Sequence, residues 1–78
     1  MTIGELIKDY CDKAKITRME FAEYAFVTPL TVKNIIDRNK LPSVPALKNI
    51  AKVLGMSFMD LIHEHYQTLE KMESRTIV

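Results

Sequence analysis

An apolar pattern with helical spacing runs through residues 21–36, FAEYAFVTPLTVKNII, and is interrupted once, at Thr28 and Pro29. Proline lacks a backbone N–H and has a fixed φ, so it is tolerated at the first position of a helix but not in its interior. Thr28 is a favourable N-cap residue for such a start. The pattern therefore predicts that one helix ends before Thr28 and another begins at Pro29. Two short helices joined by about three residues cross at a steep angle, which is the geometry of a helix-turn-helix.

Helix start and stop signals recur along the rest of the chain. Thr2, Thr17 and Ser57 each precede a carboxylate by three residues, in the arrangement of a capping box. Ser43 stands at another helix start, and Gly55 stands where a helix end tolerates a left-handed residue. We expect five helices and no strand; the helices are expected over residues 2–14, 18–25, 29–37, 44–54 and 58–72.

Each expected helix carries apolar residues along one face. The expected core positions, helix by helix, are Ile3, Leu6, Ile7, Tyr10, Cys11 and Ala14; Phe21, Ala22 and Ala25; Val32, Ile35 and Ile36; Leu47, Ile50, Ala51 and Leu54; and Phe58, Leu61, Ile62, Tyr66 and Leu69. A chain of 78 residues can form one small core but not two. We therefore expect one all-α domain over residues 1–72 and a C-terminal tail over residues 73–78.

The composition argues against several classes of protein. No apolar run approaches the about 20 residues that span a bilayer, and charged residues interrupt the first turns, where a signal peptide would be apolar. We expect a cytoplasmic protein without a membrane partner. Cys11 is the only cysteine, and His63 and His65 are two residues apart and should point to opposite sides of a helix surface. Neither a disulfide nor a metal site is expected.

Catalysis is not expected either. The chain has only two glycines and hence no phosphate-binding loop, and HEHY lacks the four-residue spacing that places two histidines on one zinc ion. No combination of nucleophile, base and orienting group can be identified in the sequence. We expect a protein that is not an enzyme and needs no cofactor.

The charge is unevenly distributed along the chain. Residues 13–52 contain eight basic and three acidic residues, a local net charge of +5, whereas the two ends are each −2. Such a distribution can mark a surface that binds an anion, but a basic stretch is more often a solvated face. Charge alone therefore does not decide between the two interpretations.

Three consecutive segments resemble the lambda-repressor-like (Cro/XRE) helix-turn-helix family over residues 4–62. The first helix of that family, with the cap of its second helix, is resembled by GELIKDYCDKAKIT. The helix-turn-helix itself is resembled by RMEFAEYAFVTPLTVKNIID. The loop and the last two helices are resembled by LPSVPALKNIAKVLGMSFMDLI. The resemblance implies a five-helix lambda-repressor-like fold with the helix-turn-helix formed by helices 2 and 3. It also implies a sequence-specific transcriptional regulator of bacterial or phage type, repressor-like and associated with the nucleoid, whose partner is double-stranded DNA.

The resemblance further implies that the third helix faces the DNA major groove. The expected base contacts are Asn34, Lys33, Leu30 and Pro29, and the expected DNA-backbone contacts are Arg18, Thr28, Thr31, Arg38, Asn39 and Lys40. Asn34 can contact adenine N6 and N7 in a bidentate way, or it is simply an exposed polar residue. Leu30 can contact a thymine methyl group, or it belongs to an apolar protein contact.

The sequence departs from the family pattern at several positions. Phe26 stands in the turn where the family usually has glycine, and a positive φ at a large residue costs on the order of 1 kcal/mol or more. We therefore expect a different turn conformation. Cys11 replaces a phosphate-binding arginine of the first helix, and Ile36 and Arg38 replace the glutamate and glycine that commonly close the recognition helix.

Two kinds of protein contact are also expected. Binding to DNA as a homodimer would use the last helix, through Ile62, Tyr66, Leu69 and Met72, although these residues could instead close the core of the monomer. The second hypothesis for function is a helix-turn-helix used for protein binding, such as a small antirepressor that engages a related repressor. An apolar patch of Phe26, Pro29, Leu30 and Ile36 motivates this alternative.

Overall fold

Five α-helices follow one another in a computed structural model that describes the backbone of residues 1–77 and the side chains of residues 1–72. They are α1 (Ile3–Ala14), α2 (Arg18–Tyr24), α3 (Pro29–Arg38), α4 (Val44–Leu54) and α5 (Phe58–Ile77), with no strand in the described backbone. The predicted all-α fold of five helices is confirmed. The first four helices begin and end within one residue of their expected bounds.

The last helix is longer than expected. α5 continues past residue 72 and ends at Ile77. Neither glycine nor proline follows Gly55, so the sequence contains no strong signal that would stop the helix earlier. Residues 73–77 of the expected tail are therefore helical, and residue 78 lies outside the described residues. Even α5 does not combine the length and apolar character that a membrane crossing requires, and neither does any other described helix.

Side-chain hydrogen bonds start the helices as the sequence predicts. At α1, the Glu5 N–H donates to Thr2 Oγ1 (3.2 Å) and the Thr2 N–H donates to Glu5 Oε1 (2.9 Å). Thr17 and Glu20 make the same reciprocal pair at α2, and Ser57 Oγ accepts from the backbone of the third residue after it. These bonds satisfy backbone donors that have no partner inside the helix. Ser43 occupies the N-cap position of α4 without a side-chain cap hydrogen bond.

The core forms around α1, which contacts all four other helices. The core contains twelve buried apolar residues, and all of them were expected core positions: Ile3, Ile7, Cys11, Phe21, Ala22, Ala25, Val32, Ile35, Leu47, Ile50, Ala51 and Leu61. Two expected core positions are exposed instead. Ala14 lies on the wall of an open groove between α1 and the α4–α5 turn, and Tyr66 lies on a flank of α5 that no other helix covers.

A glycine sets the distance between α1 and α3. A Cβ atom on Gly4 would lie 2.8 Å from Ile36 Cα and 2.9 Å from the backbone oxygen of Ile35. Contacts below 3 Å with backbone atoms are not tolerated, so the two helices approach this closely only because residue 4 has no side chain. The contact fixes the C-terminal half of α3 on the core.

A buried histidine joins α1 to α5, contrary to the expectation that both histidines lie on the surface. His65 is 1% exposed, and its Nδ1 accepts a hydrogen bond from the Ile3 N–H at 2.9 Å. Beside it, the amino group of Met1 contacts the Glu64 carboxylate and the Thr68 hydroxyl. The sequence-based expectation failed because His65 falls on the core-facing stripe of α5, four residues after Leu61.

Candidate nucleic-acid interface

The predicted break between the second and third helices is confirmed. α2 ends at Tyr24, α3 begins at Pro29, and residues 25–28 form the turn between them. Phe21 and Ala22 of α2 and Val32 and Ile35 of α3 are buried in the common core. Because the buried faces of both helices are fixed, the opposite face of α3 is left open to solvent.

The turn has the conformation that we expected Phe26 to prevent. Phe26 has a φ of 54°, in the left-handed region. The Val27 N–H donates to the Ala22 carbonyl (3.0 Å) and the Phe26 N–H donates to the Glu23 carbonyl (3.2 Å), which together form a Schellman motif. These two bonds, with half-buried Val27 packed against the core, hold the backbone where glycine is usually found. The expectation of a different conformation was wrong, and the phenylalanine ring is left 86% exposed.

Two threonines cap the start of α3. Thr28 Oγ1 accepts a hydrogen bond from the Thr31 N–H (3.2 Å), and the two hydroxyl groups are hydrogen-bonded to each other at 2.9 Å. Each hydroxyl can donate only one hydrogen. One of the two hydroxyl hydrogens is therefore used inside the cap, and one remains for an outside acceptor such as a phosphate.

The residues expected to contact bases fall into two groups. Pro29, Leu30 and Lys33 are exposed on the open face of α3, and the Leu30 side chain is 65% exposed. Asn34 is half-buried at the edge of that face. It lines a shallow cavity of about 160 Å³ together with Thr31 and the loop residues Lys40, Leu41 and Pro42. The α3–α4 loop thus lies beside the one amide that was expected to recognise a base.

The four basic side chains that were expected at the DNA interface are exposed in the structure. They are Arg18, Lys33, Arg38 and Lys40. The ion pairs among the described side chains involve other groups, namely Lys13 with Asp9 (3.0 Å) and the amino group of Met1 with Glu64. The four cations therefore have no carboxylate partner within residues 1–72 and are free to meet phosphates. Asp37 is exposed on the same helix and opposes such binding by its charge.

Asn39 ends α3 and turns the chain toward the loop. It adopts a φ of 52°, which asparagine tolerates better than most residues, and its N–H donates to the Ile35 carbonyl at 3.1 Å. Its exposed side chain stands between Arg38 and Lys40. The three residues expected to contact the DNA backbone after α3 are thus consecutive and exposed.

The residues expected to contact a protein partner lie in two places. Phe26 is in the turn before α3, and Ile36 is half-buried against the core at the other end of α3. On α5, Ile62 and Leu69 are half-buried, Tyr66 is 49% exposed and Met72 is 53% exposed. Ile62 and Tyr66 also line a shallow cavity of about 280 Å³ formed by α5 alone. Ile62 packs against the core, whereas Tyr66 lies outside it.

Two residues that hold α1 against other helices, Gly4 and His65, were not predicted from the sequence. Gly4 carries a signal that could have been used, because a glycine within a helical pattern often marks a close approach. His65 also carries one, because it continues the spacing of Leu61 on the core face of α5. Neither contact itself can be derived from the sequence, since each joins segments that are far apart in the chain.

Cys11, the one cysteine of the chain, is buried. Burial raises the pKa of the Cys11 thiol, which lies 3.9 Å from the Thr17 carbonyl oxygen. The thiol is therefore protonated at neutral pH and packs as a small apolar group. Among the described residues, no group of three or more histidine, cysteine or acidic side chains is arranged to hold a metal ion.

Comparison of the chain with protein-family models, with curated proteins and with solved structures finds no match.

Proposed function

We propose that the protein is a sequence-specific DNA-binding regulator of the lambda-repressor-like helix-turn-helix type, which inserts α3 into the major groove. The observation that carries this proposal is the open face of α3. It begins at a capped N-terminus, it exposes Pro29, Leu30 and Lys33, and its opposite face is fixed in the core through Val32 and Ile35. A major groove is wide enough for one such helix.

The proposed roles follow from the chemistry of each group. Arg18, Lys33, Arg38 and Lys40 neutralise phosphates. Asn39 and either Thr28 or Thr31, whichever keeps its hydroxyl hydrogen outside the cap, donate neutral hydrogen bonds that set the register. Asn34 contacts adenine from the edge of α3 beside the loop. The basic middle of the chain, with its net charge of +5, supports this arrangement electrostatically. A regulator of this kind acts in the bacterial cytoplasm, at the nucleoid.

A small single domain makes few contacts, so tight binding calls for two copies on one operator. A dimer would place its two copies on half-sites about 34 Å apart, one turn of DNA. The side of α5 that carries exposed Tyr66, beside half-buried Ile62 and Leu69, is the surface that we propose for pairing.

The test is selection of bound sequences from random duplexes, followed by titration at several salt concentrations. With the four proposed phosphate-binding cations each neutralising a phosphate, the logarithm of the affinity should fall against the logarithm of salt concentration with a slope of about −3.6 per monomer. The absence of any enriched sequence together with salt-insensitive retention would contradict the proposal.

A lysine variant sharpens this test. Lys33→Gln should weaken binding to all sequences and reduce the magnitude of the salt slope by about 0.9 per monomer, because one phosphate contact is lost. Lys52→Gln is the matched control, since Lys52 is an exposed lysine on α4, away from the open face of α3. Equal slopes for the two variants would show that Lys33 does not contact phosphate.

The exposed ring of Phe26 favours a second candidate function, an antirepressor-like protein that binds a related repressor. Aromatic side chains that protrude from a surface are frequent anchors of protein interfaces. Phe26→Asn removes the ring while keeping a residue that tolerates a positive φ. The second function requires that the unmodified chain fails to bind duplex DNA, that it forms a complex with a lambda-repressor-like repressor, and that Phe26→Asn abolishes the complex.

A further inference from the structure

The tip of α3 presents two side chains that cannot form hydrogen bonds. Pro29 and Leu30 are the first two residues of the helix, and both are exposed. In a helix-turn-helix the N-terminal residues of the second helix come closest to the base edges. The major-groove edges of the bases offer donors and acceptors, and a single kind of apolar group, the 5-methyl group of thymine.

Leu30 has polar neighbours on the same helix. Lys33 and Asn34 follow it by three and four residues, which places their Cβ atoms about 5–6 Å away. If α3 enters the groove, Leu30 is buried against whichever base pair lies beneath it. An apolar side chain over a hydrogen-bonding base edge leaves that edge without a partner, whereas over a thymine methyl group it buries two apolar surfaces together.

We propose that Leu30, flanked by Pro29, is a specificity-determining residue that contacts the 5-methyl group of a thymine. Successive bases are separated by about 3.4 Å along a strand, so the thymine lies within two base pairs of the adenine assigned to Asn34. We assign duplex DNA rather than protein as the occupant of this apolar tip, because Lys33, Arg38 and Lys40 are exposed on or next to α3 and have no carboxylate partner among the described side chains. This inference rests on the proposed function, because it requires α3 in the major groove.

The experiment uses the full chain and the duplex obtained by selection. Each thymine of the duplex is replaced in turn by deoxyuridine, which removes only the methyl group and keeps all base-pair hydrogen bonds. We expect one position in each half-site at which the affinity falls about three- to tenfold, and no effect above twofold elsewhere. A 5-methylcytosine–guanine pair at that position should bind more tightly than an unmethylated cytosine–guanine pair.

Two variants assign the effect to Leu30. Leu30→Ala should bind the unmodified duplex more weakly and should no longer distinguish thymine from deoxyuridine at the sensitive position. Leu30 is exposed, so this substitution leaves the core intact, which circular dichroism can verify. Lys33→Gln should lower the affinity for both duplexes and keep the difference between them.

The outcomes separate this inference from the proposed function. If selection yields a duplex but no thymine is sensitive to removal of its methyl group, the inference fails and DNA binding stands. The same holds if Leu30→Ala retains the full difference between thymine and deoxyuridine. If no duplex is bound at all, the proposed function and the inference are both overturned, and Leu30 becomes a candidate protein contact beside Phe26.

Discussion

At the scale of single residues, Phe26 combines backbone strain with exposure. Its φ of 54° disfavours an L side chain with a Cβ atom, and its ring contributes little to the core because 86% of it is exposed. Phe26→Gly should therefore raise the free energy of unfolding, by about 0.5–1 kcal/mol, because relief of strain outweighs the larger entropy of glycine in the unfolded chain. Urea denaturation followed by circular dichroism measures this difference.

Gly55 supplies the reverse substitution as a control. It occupies the corresponding position after α4 with a φ of 72°, and a Cβ atom there would meet no atom within 4 Å. Gly55→Ala should lower the free energy of unfolding by about 1 kcal/mol through backbone strain alone. If Phe26→Gly destabilises the protein by as much as Gly55→Ala, the ring makes an energetic contribution that its exposure does not account for.

His65 gives the stability a pH dependence. Burial, and then the nearby positive charge of the Met1 amino group, lower the pKa of His65, so the folded protein favours the neutral imidazole that accepts the Ile3 N–H. The unfolded chain binds the proton more tightly, so stability is fully present above the ordinary histidine pKa of about 6.5 and is lost as the pH falls through that value. The loss can reach at most about 1.4 kcal/mol per pH unit for one proton.

Urea denaturation between pH 7.5 and pH 5 measures this effect. His65→Asn offers an oxygen acceptor near the position of Nδ1 and cannot be protonated, so most of the slope in this range should disappear. His63→Asn is the matched control, because His63 is on the same helix, two residues before His65, and is exposed to solvent. A slope that survives in His65→Asn and disappears in His63→Asn would contradict the assignment.

At the scale of helices and turns, helix starts carried a clearer sequence signal than helix ends, and the one end that was missed by several residues is that of α5. Thr2, Thr17 and Thr28 indicate helix starts in the sequence because each hydroxyl oxygen accepts a hydrogen bond from the backbone N–H only three residues later. The ends of α1 and α3 use Lys15 and Asn39 at positive φ, and the turn after α2 uses Phe26. These conformations are held by backbone hydrogen bonds that any residue can make, so the side chains at these positions carry little signal.

The candidate site was predictable to a similar degree. The helical period of α3 predicts that Leu30 and Lys33 lie on a different face from Val32 and Ile35. In the structure the first pair is exposed and the second pair is buried. The surroundings of Asn34 were not predictable, because the α3–α4 loop has no periodic pattern that would place Lys40 and Pro42 beside it. Helix faces follow from local spacing, whereas the position of a loop against a helix depends on packing across the molecule.

The α1–α3 contact gives a prediction at this scale. In an exposed helix, glycine to alanine stabilises by about 1 kcal/mol. At Gly4 the added Cβ atom would meet the backbone of Ile35 and Ile36 below 3 Å, so the helices must move apart. Gly4→Ala should lower the free energy of unfolding by about 1–3 kcal/mol and weaken DNA binding through displacement of α3. A stabilised Gly4→Ala variant in urea denaturation would show that the two helices are not in contact.

At the scale of the whole molecule, α5 determines the shape. The protein measures 41 × 21 × 21 Å, and the 20 residues of α5 alone extend about 30 Å. The core uses the N-terminal part of this helix, through buried Leu61 and His65 and through Phe58 and Ile62, which pack against it. Tyr66 and Leu69 continue the apolar side of a helix that is longer than the core requires, which is the reason for proposing this side of α5 as the dimer surface.

Tyr66→Arg tests this surface in the intact chain. Tyr66 is 49% exposed, so arginine can be accommodated in the monomer, but in a two-fold dimer the same substitution would occur on both sides of the interface and place like charges together. We expect sedimentation equilibrium to show a dimer for the unmodified chain and a monomer for Tyr66→Arg. On a two-half-site duplex, cooperative binding should be lost while binding to a single half-site persists. Tyr24→Arg, at a tyrosine that is 56% exposed on α2, should remain dimeric; an equal loss of dimer in both variants would place the interface elsewhere.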